Sequence, residues 1–308
     1  MIVLTDSLKY CPEFAERTLV SFKTIADFEN NPDVTAAFCS RAMARKILEL
    51  DFPNLKLIQL FSAGYDGIDL ELVKEKGITL CNAANVYNIG MAEFVVYAML
   101  MAAKRYHRSL KNHRVRLLRN YHYITELYGK TVGIMGCGNI GGQIAKRLAA
   151  FDMKVIGYDA NTTDKPFFEK IYGIDERDEF VPQCDYIVCC LPLMKATEGL
   201  LNNDWFSKMK HTVTIVNVAR KNVISDKDFI PFLKKNKNVT AILDMLEKIP
   251  NPITNPYRRL SNVLVLPGVT AASWEIMEKL HVLLLDNLDR LKGNKDLLNV
   301  VVANIEKP

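Results

Sequence analysis

TVGIMGCGNIGGQIAKRLAAFDMKVIGYD, residues 131–159, decides how the rest of the chain is read. The apolar run Thr131-Val132-Gly133-Ile134-Met135 reads as a buried parallel strand. Gly136-Cys137-Gly138-Asn139-Ile140-Gly141 follows it, and Ile140, Ile144 and Leu148 then recur at helical spacing. A second apolar run, Lys154-Val155-Ile156-Gly157-Tyr158, ends at Asp159. In this setting Gly136 permits a tight turn, Gly138 lets the backbone approach a pyrophosphate, and Gly141 lets the helix lie close on the strand. The helix start at Asn139 and Ile140 offers unpaired N–H groups and a positive dipole end to phosphates. Asp159, 18 residues past Gly141, is placed to accept hydrogen bonds from a ribose 2′-OH. A carboxylate there repels a 2′-phosphate, which favours NAD over NADP. The competing reading is a glycine-rich turn in some other α/β protein. Strand, glycines, helix, second strand and terminal acid in that order argue against it.

Composition bounds the rest. The chain has 308 residues, enough for two domains, with 49% hydrophobic and 24% charged residues, as in an ordinary globular protein. It has no apolar run of membrane-spanning length, and its start, MIVLTDSLKY, turns polar too soon for a signal peptide. The expectation is a cytoplasmic protein with no membrane partner. Net charge is 40 − 35 = +5, which suits an acidic small-molecule ligand without requiring nucleic acid. The seven cysteines are scattered, without CxxC spacing or a Cys/His group at metal spacing, so they read as reduced core thiols and no metal is expected. Cys137 stands apart because its place in the phosphate loop would put it within reach of an oxidant or alkylator.

Strand signals at 1–4, 35–39, 55–61 and 79–81 alternate with helical stretches at 13–21 and 41–48, a βαβ pattern with a parallel sheet. Two loops, 62–69 and 82–93, follow strand ends, where open α/β sheets bind ligands. A long helix spans 89–106. The basic segment 104–119, with Leu110, Val115, Leu117 and Leu118 interleaved, reads either as a patch for phosphate-rich partners or as a helix linking domains or lining a subunit interface. The interleaved apolar residues need a packing surface, which favours the second. Further strands are expected at 184–191, 212–218, 239–243 and 263–266, with a helix at 226–233. A last helix, 274–291, has Ser273 as N-cap and Ile276, Leu280, Leu284, Leu288 and Leu291 in one stripe. The apolar end, 297–303, is expected to return to the first domain.

Taken together, these stretches resemble the D-isomer-specific 2-hydroxyacid dehydrogenase family over nearly the whole chain. The matching pieces are Ala63-Gly64-Tyr65-Asp66-Gly67-Ile68-Asp69, Met91-Ala92-Glu93, Tyr128-Gly129-Lys130-Thr131-Val132-Gly133, the glycine loop, Leu191-Pro192-Leu193 with Thr197, Asn217-Val218-Ala219-Arg220, and Leu243-Asp244. The resemblance implies a Rossmann-type doubly wound parallel sheet, an NAD-binding α/β domain over 101–274. That domain would be inserted in a smaller flavodoxin-like α/β substrate domain, 1–100 plus 275–308. It also implies a cleft between the domains, usually a homodimer, and hydride transfer between NAD(H) and a small 2-hydroxy or 2-keto acid. Arg220 matches the arginine that holds the substrate carboxylate and polarises its carbonyl, a task suited to a guanidinium's two parallel hydrogen bonds. A surface ion-pair arginine is the alternative. Ala63, Gly64 and Tyr65 match the loop whose backbone donors meet that carboxylate. Leu191, Pro192, Thr197, Val218 and Ala219 match cofactor-lining positions and could equally be packing. Asp244 matches the residue near the nicotinamide amide, or is a cap at a strand end.

The chain also departs from the family pattern. The family's acid is a histidine after a proline on the last core strand; here Leu266-Pro267 is followed by Gly268. The family glutamate, five residues after the aspartate, is here Ile249. No histidine lies between His211 and His281. Keto-acid reduction needs a proton as hydride arrives, and general acid help is typically worth about 10²–10⁴ in rate. Losing both residues together is coherent, because a glutamate without its histidine would be an unpaired carboxylate in a low-dielectric cleft. Tyr65, Lys248, Thr270 and Ser273 are the candidate substitute donors. The alternative function is a catalytically degenerate NAD-binding sensor or scaffold.

Overall fold

The computed structural model describes residues 2–7, 25–106, 124–244, 255–266 and 268–303. The helix expected at 13–21, most of the basic segment, Lys248 and Ile249 lie outside the described residues. The chain forms two compact units, Met1–Tyr87 with Ser273–Pro308, and Asn88–Ala272, so the second is inserted into the first.

In the first unit, β1 (Ile2–Thr5), β2 (Val34–Cys39), β3 (Leu57–Leu60) and β4 (Thr79–Cys81) pair in parallel in chain order. The C-terminal strand β12 (Val300–Val302) adds antiparallel to β4, as the apolar end at 297–303 suggested. Helix α1 (Arg41–Glu49) starts where Ser40 Oγ accepts from the Met43 N–H at 3.3 Å. Ser40 in turn donates to the Asp6 carboxylate. Met43, Ala44, Ile47 and Leu48 form its buried stripe. Helix α2 (Leu70–Glu75) is capped by Asp69, whose carboxylate accepts from Glu71 and Leu72 N–H groups at 3.1 Å.

The opposite face of this sheet is covered by α8 (Glu275–Lys292), whose Leu284 and Leu288 pack among Val3, Phe38, Leu57 and Cys81. Each such buried side chain contributes roughly 1.5–3 kcal/mol. Ser273 is not the N-cap of this helix. Trp274 holds that position without a side-chain cap, and Ser273 instead hydrogen-bonds the Glu275 side chain. The Glu275 carboxyl is held below its ordinary range, first by its own backbone N–H and then by Ser273.

The second unit is a seven-stranded, all-parallel sheet. Its strands are β5 (Thr131–Met135), β6 (Lys154–Tyr158), β7 (Lys170–Tyr172), β8 (Tyr186–Cys189), β9 (Thr214–Asn217), β10 (Thr240–Asp244) and β11 (Val263–Leu266). The spatial order is β7-β6-β5-β8-β9-β10-β11. The chain winds outward from β5 through β6 and β7, then returns to build the other half from β8. This is the doubly wound Rossmann order, with its switch point between β5 and β8. Strands β8 and β9 are buried along their whole length and β5 in all but its first residue, with core side chains on both faces of the sheet.

Helix α3 (Asn88–Ala103) packs on α4 (Asn139–Ala149) and belongs to this unit. It stops three residues before the expected end at Tyr106, because Lys104 and Arg105 form a turn and Arg105 takes φ 53. Shorter helices α5 (Arg177–Phe180) and α6 (Asn203–Phe206) precede α7 (Asp226–Lys235). Among the described residues, no helix is long and apolar enough to cross a membrane, and no His/Cys/Asp/Glu group could hold a metal.

A buried amide pair locks α8 to its sheet. Asn287 Nδ2 donates to Gln59 Oε1 at 2.6 Å and to the Leu298 carbonyl at 3.1 Å, while its Oδ1 accepts from the Leu298 N–H at 2.7 Å. Gln59 Nε2 completes the network on the Leu60 and Asn82 carbonyls. Asn287→Ala orphans buried polar groups on β3 and the C-terminal segment, which costs about 2–3 kcal/mol. A urea midpoint that falls accordingly is expected; one unchanged within error contradicts the network's role.

Candidate functional site

The site is built at the carboxyl ends of the second unit's strands. Gly136 leaves β5 at φ 92, a left-handed conformation that favours glycine. Its N–H donates to the Tyr158 carbonyl at 2.9 Å. A Cβ there would meet the Cys190 carbonyl carbon at 3.1 Å and the Leu191 nitrogen at 3.2 Å, so this turn is wedged into the switch point. Helix α4 follows with Gly138 at its N-cap and no side chain capping it, so its first-turn N–H groups, on Asn139 and Ile140 among others, stay available. A Cβ on Gly138 would meet nothing within 4 Å, which leaves open space over the loop. A Cβ on Gly141 would collide with the Gly136 carbonyl oxygen. The three glycines thus meet three different physical demands: conformation, access and close packing.

Asp159 closes the loop. Its Oδ2 accepts from the Cys137 N–H at 2.7 Å and its Oδ1 from the Asn161 N–H at 2.9 Å. A carboxylate offers about four lone-pair sites, so capacity remains for ribose hydroxyls. Cys137 is not within easy reach of alkylators, contrary to expectation. It is 2% exposed, because its Sγ fills the space that a Cβ on Gly157 would need. Burial, then the Asp159 charge, pushes its thiol up to about 12, so the nucleophilic thiolate is scarce at neutral pH. Cys39, Cys81, Cys184 and Cys189 are likewise buried free thiols.

Across the switch point, Thr197 Oγ1 donates to the Pro192 carbonyl at 2.6 Å and accepts from the Met194 N–H at 2.8 Å. Its hydroxyl therefore shapes the loop carrying Leu191 and Pro192. After β9, Asn217 organises the turn, a role the sequence reading missed. Its Oδ1 accepts from the Ala219 N–H at 3.0 Å and its Nδ2 donates to the Arg220 carbonyl at 3.1 Å. Val218 is buried beneath, while Arg220 is half-buried, with Nη1 donating to the Ala219 carbonyl at 3.2 Å. After β10, Asp244 accepts from three backbone N–H groups, Gly268 at 2.7 Å, Val269 at 3.1 Å and Thr270 at 2.9 Å. Here the turn-capping reading of Asp244 is realised. A separate cavity of about 220 Å³ lies at the opposite, amino ends of the strands, lined by Lys130, Asp185, Thr214 and Thr240 among others. It is remote in the fold from the glycine loop.

In the first unit, the loop after β3 is tied down through its carbonyls. Ser62 Oγ donates to the Gly64 carbonyl at 2.6 Å and Asn82 Nδ2 to the Ala63 carbonyl at 2.8 Å. Among the described residues, the N–H groups of Ala63, Gly64 and Tyr65 have no protein acceptor. The Tyr65 side chain is 42% exposed.

The family model described as "D-isomer specific 2-hydroxyacid dehydrogenase, NAD binding domain" matches residues 95–269. A D-3-phosphoglycerate dehydrogenase from Methanocaldococcus jannaschii is 30% identical over 96% of this chain, which spans 57% of that protein's length. A glyoxylate reductase from Thermofilum pendens is 32% identical over 80% of this chain and 77% of its own. The chain belongs to the D-isomer-specific 2-hydroxyacid dehydrogenase family. The solved D-isomer-specific 2-hydroxyacid dehydrogenase family protein of Klebsiella pneumoniae 342 superposes with TM-score 0.82 at 25% identity, covering 98% of this chain and 96% of that one.

The cofactor of this dehydrogenase-family chain is NAD. The residues present fit it: an uncapped helix start, clear space over Gly138, and a carboxylate with spare lone pairs at the second strand end. The turn after β11 has its own geometry. Gly268 takes φ 75, in the left-handed region, with its N–H committed to Asp244. A histidine side chain there would carry strain of roughly 1–2 kcal/mol. His211 lies just before the amino end of β9, 3.3 Å from Asn236 Oδ1, away from this edge of the sheet. Of the substitute donors, Thr270 is 3% exposed, and its Oγ1 has no partner among the described residues.

Gly138 and Gly141 should respond differently to a methyl group. Gly138→Ala has room and an ordinary φ of −77°, so the melting temperature should hold while the NADH dissociation constant rises at least about tenfold. Gly141→Ala should cost about 1–3 kcal/mol of stability as well. Thermal melts and NADH titrations check both; full NADH affinity in Gly138→Ala contradicts the loop assignment.

Proposed function

We propose that this chain binds NAD(H) and a small 2-hydroxy or 2-oxo acid and transfers hydride between them without an imidazole acid. The observation that carries the reading is the open glycine loop with Asp159, on the same sheet edge as Arg220 and a Gly268 turn without a proton to give. When bound, NADH supplies the hydride. Arg220 grips the carboxylate with two parallel hydrogen bonds and polarises the carbonyl. The discontinuous unit serves as the substrate domain, where the N–H groups of Ala63, Gly64 and Tyr65 are anion donors. Thr270 is the hydroxyl that hydrogen-bonds the developing alkoxide, with the proton drawn from water. Leu191, Pro192, Val218 and Ala219 line the cofactor. A homodimer is supported by Ile89 and Tyr97, exposed on α3, and a cytoplasmic setting by the free thiols.

A second reading is a degenerate NAD-binding sensor or scaffold. Gly268 favours it, because the position lacks the family acid and strains any replacement side chain. NADH oxidation over a panel of 2-oxo acids, with glyoxylate included because a relative is named for it, separates the two. Turnover is expected at about 10²–10⁴ below imidazole-assisted rates, without an inflection near the histidine pKa of about 6.5. Arg220→Ala should raise KM at least about tenfold, and Thr270→Val should lower kcat about tenfold. Saturable NADH binding with no turnover on any acid contradicts the proposal and leaves the sensor reading.

A further inference from the structure

The residues after Asp159 converge on the glycine loop. Asp159 Oδ1 accepts from the Asn161 N–H at 2.9 Å, and Asn161 Oδ1 accepts from the Thr163 N–H at 3.0 Å. Two successive turns of this kind fold the chain back on itself. The fold-back carries Lys165 to the loop, where its Nζ donates to the Cys137 carbonyl at 2.9 Å. Asp159 Oδ2 holds the N–H of that same residue at 2.7 Å. A carboxylate and an ammonium therefore flank one residue between the first two glycines. The Cys137 thiol senses both, Asp159 raising its pKa and Lys165 lowering it. Among the described residues Lys165 enters no ion pair; its acceptor is a neutral carbonyl.

We propose that Lys165 is a specificity-determining residue: its ammonium offsets Asp159 at the adenosine ribose, so the site takes a 2′-phosphorylated dinucleotide as well as NAD. The inference rests on the nucleotide site assigned above. An aspartate alone at the second strand end repels a 2′-phosphate. An ammonium on a flexible four-carbon stem can leave a neutral carbonyl for a phosphate, and a charge-assisted bond is roughly twice as strong as a neutral one. Asn161, Thr162 and Thr163 are exposed, which leaves the ribose edge open to solvent and gives a phosphate room. With NAD, which has no phosphate there, Lys165 keeps its bond to the loop.

Calorimetric titrations of the full chain with NADH and NADPH test this, using the wild type, Lys165→Met and Lys165→Arg. The wild type should bind both dinucleotides. Lys165→Met should raise the NADPH dissociation constant about tenfold more than that for NADH, and Lys165→Arg should retain NADPH. Added salt should weaken NADPH binding more than NADH binding. A wild type that binds NADH but not NADPH overturns the proposal. So does a methionine variant that weakens both equally, which would make Lys165 a loop prop, or one that changes neither. Failure of the wild type to bind NADH contradicts the nucleotide site itself and is distinct from these outcomes.

Discussion

The absent side chain of Gly141 is the constraint on which the rest depends. Because only hydrogen stands there, α4 can lie against the Gly136 carbonyl, and its uncapped start is brought to the crevice between β5 and β8. A helix start held a few ångströms farther away would leave its N–H groups facing water. The parallel sheet supports the same geometry from below. Its strand order reverses at β5, and the Cys190 N–H bonds the Met135 carbonyl at 2.8 Å just where the two halves separate.

Charge refines what packing provides. The loop's backbone donors and the dipole of α4 suit phosphates, while Asp159 and Lys165 hold the N–H and the carbonyl of Cys137. Farther along the same edge, Asp244 accepts three N–H groups of the turn that Gly268 opens, and Asn217 holds the Arg220 backbone in place. Along this edge the described side chains hold backbone in place, and the turn after β11 carries a glycine where a side chain could have titrated. In the proposed reaction this leaves the nucleotide to the glycine loop and the proton to the Thr270 hydroxyl and water.

What was legible in the sequence was local. The β5–glycine–α4–β6 unit shows its period and punctuation within residues 131–159. What was hidden depended on residues meeting through space. Cys137 looked accessible because its cover comes from Gly157, 20 residues later, where the lack of a side chain makes room for the thiol. The role of Asn217 needs the turn after β9 to be closed before its amide reaches Arg220. Lys165 sits in a polar stretch whose fold-back is set by two side-chain-to-backbone bonds. Strand β7 is three residues long, too short for alternation to register. Helix α3 was overextended because Lys104 and Arg105 are good helix formers, yet the chain turns there.

The central claim is that a dinucleotide lies over the turn between β5 and α4. Isothermal titration calorimetry of the unmodified chain with NADH tests it most directly. The account predicts saturable heat at one site per chain, with a dissociation constant at or below the micromolar range. No heat at millimolar NADH would contradict it.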